Sequence, residues 1–332
     1  MSEKISICVA GGGSWGTALG HLLARGGHHV CLWMRNASVA TAINERHENP
    51  RYLPGLPLDE RLVATTDPAA LDRPLVVLAV PCQQLRGWLT EQARHFQPRA
   101  ILVNAAKGIE TGSLATCSEM TTQALGHLNP RYAVLSGPSF AADVLRDLPT
   151  AVVMAAYDEA LGCYLRDIFS GPVFRCYSST DVMGVEMGGA LKNVMAIAAG
   201  TCDGLGLGAN SRAALITRGL AEMSRLGVAR GAQAHTFMGL SGLGDLTLTC
   251  TDDLSRNRQV GLRLGRGEKL DHITQSLGMV AEGVKTTAAI YDMAKKLGVD
   301  APLTNAVHSI LYEGQSPQAA LRDLMARTLR EE

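Results

Sequence analysis

No Cys-x-x-Cys pair occurs anywhere in the 332 residues, although the chain has eight cysteines. Cys8, Cys31, Cys82, Cys117, Cys163, Cys176, Cys202 and Cys250 are scattered, several within strand-like runs where cysteine serves as a small apolar residue. That distribution supports neither a disulfide framework nor a zinc site, and it fits a reducing cytoplasm. The nine histidines include no His-Glu-x-x-His, and His28-His29 reads as a solvated turn between helix and strand, so no metal is expected. Net charge is absent too, with Lys plus Arg and Asp plus Glu at 31 each. A neutral chain lacks the broad basic field that nucleic acid or an anionic membrane surface would need, so anion recognition must be local. No apolar run reaches the roughly 18 residues of a membrane helix. The apolar stretch before the first glycines is too short for a signal peptide. Internal repeats and low-complexity tracts are missing. Residues are 46% hydrophobic and 19% charged, and the length allows two domains with a large core.

The N-terminus carries the strongest local pattern. A β-type run from Ile5 to Val9 feeds into Gly11-x-Gly13-x-x-Gly16, and an Ala/Leu-rich helical pattern follows from Thr17 to Arg25. Strand, glycine turn and helix in that order form a dinucleotide-binding fingerprint. Gly11 permits the tight turn, Gly13 lets backbone approach a pyrophosphate, and Gly16 lets helix pack on strand. The phosphates would sit on free amides at the positive end of the helix. The next strand, His29 to Met34, ends at Arg35-Asn36 with no adjacent carboxylate. An acidic residue there would bind a ribose 2′-hydroxyl, whereas an arginine accepts a 2′-phosphate, so NADP(H) is accommodated alongside NAD(H).

The β/α alternation continues. A helical pattern spans Ala37 to Asn49, and Pro50 to Pro57 reads as a Pro-rich loop without regular structure. Arg61 to Thr65 is a third strand. Pro74 to Val80 is wholly apolar, as a central parallel strand buried on both faces should be. Leu85 to Phe96 reads as an amphipathic helix, and Ala100 to Ala105 as a strand ending at Lys107-Gly108, where ligands of such sheets bind. A helix from Ser113 to Leu125 and a strand from Tyr132 to Leu135 lead to Ser136-Gly-Pro-Ser-Phe140, a loop with no Gly-x-Ser-x-Gly elbow and so no hydrolase nucleophile. Thr150 to Ala155 and Val173 to Tyr177 read as strands flanking a helix. From Asp181 the runs become helical and rich in Ala, Met, Leu and Gly. The expectation is an α/β Rossmann-type doubly wound domain over 1–185 and an all-α substrate domain over 186–332, with the boundary near 180–190.

Val182 to Gly200 reads as one helix, apolar all round and therefore buried, yet it contains Glu186, Lys192 and Asn193. A buried lysine needs a partner, and burial lowers its pKa toward the range useful for proton transfer. The bland alternative is a lysine snorkelling to solvent. Leu240 to Thr251 is rich in small residues and holds one carboxylate, Asp245, able to place an ammonium. Ser255-Arg256-Asn257 begins a helical run to Leu264, and hydroxyl, guanidinium fork and amide at a helix start suit a phosphate. A plain Ser N-cap fits as well. Glu282, after Val280-Ala281, could bind a ribose hydroxyl or cap the helix from Val284 to Leu297. Spacing does not decide.

Taken together the motifs carry more. Gly-Gly-Gly-Ser-Trp-Gly-Thr-Ala-Leu at 11–19, Asn-Pro-Arg-Tyr-Leu-Pro-Gly at 49–55, Ala-Lys-Gly-Ile-Glu at 106–110 and Ser-Gly-Pro-Ser-Phe-Ala at 136–141 come first. Gly-Ala-Leu-Lys-Asn-Val at 189–194, Gly-Leu-Gly-Asp-Leu at 242–246, Ser-Arg-Asn at 255–257 and Val-Ala-Glu-Gly at 280–283 follow in order. This set resembles the bacterial-type NAD(P)-dependent sn-glycerol-3-phosphate dehydrogenase family, from the first strand to about residue 300. The resemblance implies a cytoplasmic, commonly dimeric enzyme that interconverts a triose phosphate, dihydroxyacetone phosphate, with sn-glycerol 3-phosphate for phospholipid synthesis. It implies Lys192 as proton acceptor or donor, with Lys107 and Asp245 in the catalytic set. Lys107, Gly137, Ser139, Lys192, Asp245, Ser255, Arg256 and Asn257 would line the substrate site. Gly11, Gly13, Ser14, Trp15, Gly16, Arg35, Tyr52, Lys107, Ala141, Arg256, Val280 and Glu282 would contact the cofactor, and Thr249 would lie near the chemistry. No motif falls beyond Leu303.

The chemistry is coherent with those roles. Oxidising a secondary alcohol moves a hydride to the nicotinamide while neutral Lys192 takes the hydroxyl proton, and the ammonium returns it in reduction. Asp245 would orient the amine, and Arg256 would anchor the phosphate so that remote binding energy positions C2. The nearest rival is a β-hydroxyacid or ketopantoate-type reductase, against which the Ser-Arg-Asn anchor argues. A nucleotide-sensing protein without catalysis is the rival from another class, and both lysines, Asp245 and Arg256 argue against it.

Overall fold

The computed structural model describes residues 4–277 and 281–328. The chain divides into two compact units, one of residues 1–107 and 115–185, the other of residues 108–114 and 186–332. The short segment from Gly108 to Leu114 groups with the second unit, which no composition shift signals.

In chain order the first unit contains β1 (Ser6–Ala10), α1 (Ser14–Arg25), β2 (His29–Trp33), α2 (Ala37–Arg46), β3 (Glu48–Asn49), β4 (Leu53–Pro57) and β5 (Val63–Thr65). Then come β6 (Leu75–Leu78), α3 (Cys82–Gln92), β7 (Ile101–Asn104), α4 (Cys117–Leu125) and β8 (Arg131–Ser136). It closes with α5 (Ala141–Leu145), β9 (Thr150–Ala156), α6 (Glu159–Phe169) and β10 (Phe174–Ser179). Eight strands form one sheet in the order β10-β9-β8-β7-β6-β1-β2-β5, parallel throughout except for the β8–β9 pair. From β5 to β8 this is the doubly wound dinucleotide-binding order, with the chain reversing direction between β1 and β6. Alternate residues of β1 explain the layering. Ile7 and Val9 enter the apolar core on one face, Cys8 and Ala10 the core on the other. All four residues of β6 are buried, as its unbroken apolar run requires.

Three boundaries depart from the sequence reading. The helix expected from Ala37 to Asn49 ends at Arg46, where His47 turns left-handed, and Glu48–Asn49 form β3. The segment 50–57 contains a strand after all, because β4 pairs antiparallel with β3 around a bulge outside the main sheet. Pro54 and Pro57 are exposed there, and a two-stranded edge tolerates residues without an N–H. The helix expected from Ser113 begins at Cys117, where Thr116 and Glu119 form a reciprocal capping box. Leu114, with φ +61°, lies outside helical space.

The second unit is helical: α7 (Val182–Gly204, whose first four residues belong to the first unit), α8 (Gly208–Ala229), α9 (Asp245–Thr251), α10 (Arg256–Gly265), α11 (Leu270–Leu277), α12 (Glu282–Leu297), α13 (Pro302–Tyr312) and α14 (Pro317–Met325). Helix α7 runs one turn past Gly200, and by length and composition it could cross a membrane. That corrects the expectation that no run is long enough. It is buried almost throughout, so it is a core helix. Two glycines of α7 meet two of α10. A Cβ at Gly200 would strike the Arg258 carbonyl and one at Gly204 the Leu262 carbonyl, while Cβ atoms at Gly261 and Gly265 would strike the carbonyls of Ile197 and Thr201. Glycines four apart on both helices let the backbones touch.

Candidate active site

In the first unit, the glycine loop is shaped by what it leaves no room for. Gly11 has φ +122°, and a Cβ there would lie 2.5 Å from the Ala79 carbonyl oxygen just past β6. Only glycine can cross the strand end at the reversal point. A Cβ on Gly16 would collide with the Gly11 carbonyl, and one on Gly12 would lie 2.5 Å from the Met34 side chain. Gly13 differs, because a Cβ there would meet nothing within 4 Å. It is the N-cap of α1 and offers no side chain to the first-turn amides. Bare amides beside open space are what a pyrophosphate needs, so the loop fits a dinucleotide.

Asn49 braces this loop and was not among the expected site residues. Fully buried, its amide donates to the Gly12 carbonyl at 3.1 Å and to Thr17 Oγ1 at 2.8 Å, while its carbonyl accepts from the Tyr52 N–H at 3.2 Å. The Ser14 hydroxyl donates to the Tyr52 carbonyl at 3.4 Å. Ser14 and Tyr52 are therefore tied to the glycine loop, and Trp15, half-buried, packs on the same apolar core as Tyr52. Arg35 is exposed just after β2, and Asn36 caps α2 through the Val39 N–H at 3.2 Å.

Lys107, Gly137 and Ser139 form a second group. Buried Asn104 closes the turn after β7, donating to the Ala106 carbonyl at 2.9 Å and accepting from its N–H at 3.2 Å. Lys107 follows and donates to the Gly137 carbonyl at 3.4 Å, which also accepts from the Ser139 hydroxyl at 3.0 Å. Gly137 has φ +141°, and a Cβ there would lie 2.9 Å from Val152 Cα. Ala141 opens α5 and packs, half-buried, on the core.

In the second unit, Lys192 projects from α7 with 8% of its surface exposed. Its ammonium donates to Asp245 Oδ1 at 2.6 Å and to Thr249 Oγ1 at 2.8 Å. Asp245 and Thr249 lie one turn apart on α9, and the Thr249 hydroxyl also reaches Asp245 Oδ1 at 3.3 Å. Gly188, one turn before Lys192, brings the two segments together, since a Cβ there would sit 2.5 Å from the Ser241 carbonyl. The lysine does not snorkel. Burial pushes the neighbouring Cys250 thiol up to about 12.

The Ser-Arg-Asn segment separates by role. Ser255 is the N-cap of α10, its hydroxyl oxygen accepting from the Arg258 N–H at 3.2 Å. Asn257 donates to Asn193 Oδ1 at 3.0 Å and accepts the Gly283 N–H at 3.0 Å, tying α10 to α7 and to the start of α12. Arg256 is the exposed member. Glu282 is the first residue of α12, half-buried, and Val280 lies outside the described residues. Arg258, not among the expected residues, is buried and paired with Asp203 at 2.6 Å and with Asp253. Burial works against its charge, and the bonds to Asp203 and Asp253 outweigh it, so its pKa is raised.

The chain is similar to known proteins over nearly its whole length. Residues 6–162 match the model of the NAD-dependent glycerol-3-phosphate dehydrogenase N-terminus, and residues 181–322 that of the C-terminus. The chain is 83% identical to a glycerol-3-phosphate dehydrogenase (NAD(P)+) of Desulfovibrio desulfuricans, covering all of both chains. It is 58% identical to one from Nitratidesulfovibrio vulgaris, over 99% of this chain and all of the other. The crystal structure of glycerol-3-phosphate dehydrogenase from Coxiella burnetii superposes with a TM-score of 0.92 at 40% identity, covering 98% of this chain and 99% of that one.

Proposed function

The chain belongs to the NAD(P)-dependent glycerol-3-phosphate dehydrogenase family of oxidoreductases, and from that premise we propose that Lys192 exchanges the proton at the C2 oxygen. The observation that carries this reading is the buried Lys192–Asp245–Thr249 cluster, with bonds of 2.6 and 2.8 Å. Oxidation of sn-glycerol 3-phosphate at C2 gives dihydroxyacetone phosphate, releasing one proton and one hydride. The dinucleotide, when bound, accepts or returns the hydride. A carboxylate this close favours the ammonium form, which suits Lys192 to donate a proton to the carbonyl oxygen of dihydroxyacetone phosphate. Asp245 and Thr249 hold its amine in place, and both must release part of that hold for the reverse step.

Arg256, exposed at the start of α10, supplies a bidentate fork to the substrate phosphate. Ser255 and Asn257 support it with the donor hydrogens their structural bonds leave over, one on the hydroxyl and one on the amide. Lys107, Gly137 and Ser139 are assigned to the substrate as well, Lys107 also to the cofactor. The glycine loop with Ser14 and Trp15 would hold the pyrophosphate, with Arg35 placed to meet a 2′-phosphate. Tyr52, Ala141, Arg256, Val280 and Glu282 complete the cofactor set. The same reading assigns the first unit to dinucleotide and the second to substrate, and includes a cytoplasmic homodimer that supplies glycerol 3-phosphate for phospholipid synthesis.

The test is a spectrophotometric assay with dihydroxyacetone phosphate, run with NADH and NADPH side by side. Lys192→Ala should lower kcat by at least about a thousandfold while NADPH binding, followed by fluorescence, stays within about twofold. Undiminished turnover in that variant would overturn the assignment. Reduction of 2-keto acids in preference to the triose phosphate would favour the reductase reading instead.

A further inference from the structure

We propose that Arg258 is a positioning residue for phosphate recognition: its buried pairing with Asp203 fixes the start of α10, and so Arg256, relative to Lys192. The inference rests on the roles given above to Lys192 and Arg256. Lys192 lies in the middle of α7, and Asp203 sits in the same helix near its end. A carboxylate at the negative end of a 23-residue helix is unfavourable unless cations neutralise it. Here Arg258 does so through two bonds, Nε at 3.1 Å and a terminal nitrogen at 2.6 Å, and Arg212 of α8 adds a third at 2.7 Å. The other terminal nitrogen of Arg258 holds Asp253, in the turn just before Ser255. One guanidinium thus ties the Lys192 helix, α10 and the turn between α9 and α10.

Two further observations make this a register device. Side chains two apart on a helix point to different faces, and Arg258 is buried while Arg256 is exposed. Holding Arg258 on α7 therefore presents Arg256 to solvent. The reciprocal glycines at 200, 204, 261 and 265 already press the two backbones together, and the Asn257–Asn193 bond ties them beside Lys192. Arg258, with Nε and a terminal nitrogen both on Asp203 Oδ2, adds a charge-assisted tie at the far end of α7, and two ties at separate points set the register of α10 on α7. A three-carbon substrate has a fixed separation between C2 and phosphate, so proton donor and phosphate anchor must be spaced to match. Misplacement by about 1 Å is enough to cost on the order of a hundredfold in rate.

The test compares dihydroxyacetone phosphate with unphosphorylated dihydroxyacetone, at saturating NADPH, in Arg258→Met, Arg258→Lys and Asp203→Asn. The expected result for Arg258→Met is a fall of at least about tenfold in the kcat/KM ratio of phosphorylated over unphosphorylated substrate, mostly through KM. Dihydroxyacetone turnover should stay within about twofold, and Arg258→Lys should recover part of the ratio. A merely structural role would lower both substrates by the same factor, and that result, or an unchanged ratio, overturns the proposal. Should Arg258→Met fail to fold, Asp203→Asn carries the same expectation and the same refutation. Arg256→Ala is the control. If it leaves the ratio unchanged, the phosphate-anchor reading itself fails. If it lowers the ratio while Arg258→Met and Asp203→Asn do not, only the positioning role fails.

Discussion

Asn257 of α10 donates its side-chain amide to Asn193 of α7 at 3.0 Å, one residue from Lys192, and both side chains are buried. The same Asn257 accepts the N–H of Gly283 at 3.0 Å. A Cβ on Gly283 would lie 2.6 Å from Asn257 Oδ1 and 2.8 Å from the Asn193 carbonyl, so three helices meet with no slack.

Removing this junction should be costly to the fold. Asn257→Ala leaves Asn193 Oδ1 and the Gly283 N–H buried and unpaired, which is worth about 1–3 kcal/mol. Urea unfolding of wild type and variant at one pH checks it. A loss no larger than that of an exposed Asn→Ala control would show that water replaces the lost partner.

The glycine loop allows fold and cofactor binding to be separated. Gly13→Ala places a methyl where the protein offers no contact, at a backbone of φ −75° and ψ −178° that any residue adopts. Its melting temperature should match wild type, while its dissociation constant for NADPH rises at least about tenfold, since a pyrophosphate approaches there. Gly16→Ala, which collides with the Gly11 carbonyl, should lower the melting temperature itself. Calorimetry with a fluorescence titration distinguishes the two.

Glu222 is a fully buried carboxylate on α8 that the sequence gives no reason to single out. It accepts the N–H groups of Leu303 and Thr304, both at 2.9 Å, and the Thr304 hydroxyl at 2.6 Å. Helix α13 has no side-chain cap of its own, so Glu222 serves its positive end from another helix. Burial pushes its carboxyl up from the ordinary value, and the bonds from Thr304 and Leu303 oppose that. Glu222→Ala should cost about 3 kcal/mol, because three donors lose their acceptor at once. Denaturant unfolding measures the loss, and hydrogen exchange over 302–312 should rise with it.

Thiol chemistry should separate the cysteines by burial. Burial pushes Cys8, Cys176 and Cys250 up to about 12, so at about pH 8 they hold almost no thiolate. Cys163, on α6, is half-buried. A disulfide reagent should label Cys163 first, reach the three buried thiols only on unfolding, and leave activity intact. Early labelling of Cys250, located by peptide mapping, would contradict the packing around Lys192.

Much of this was legible because it is local. The Gly11–Gly16 turn, the apolar β6 run and the strand-end position of Lys107 all follow from neighbouring residues. Lys192 stood out as a charge inside an apolar helix. The strand at Leu53–Pro57 was hidden because its prolines lie on an exposed edge. The Thr116–Glu119 capping box was present in the sequence and would have placed the start of α4. Asn49, Glu222 and Arg258 belong to another kind. Their partners lie 37, 82 and 55 positions away in Gly12, Thr304 and Asp203, so no spacing rule reaches them. Polar side chains that close a fold at long range become visible only in three dimensions.

The apolar length of α7 has a consequence in time. During synthesis its residues leave the ribosome before α10 and α12, whose backbones press on Gly200, Gly204 and Asn193. About fifty residues separate the end of α7 from α10, which at 5–20 residues per second is several seconds of translation. For that interval a long apolar segment waits without the partners that bury it, and its packing is completed only when α10, with Arg258, has been made.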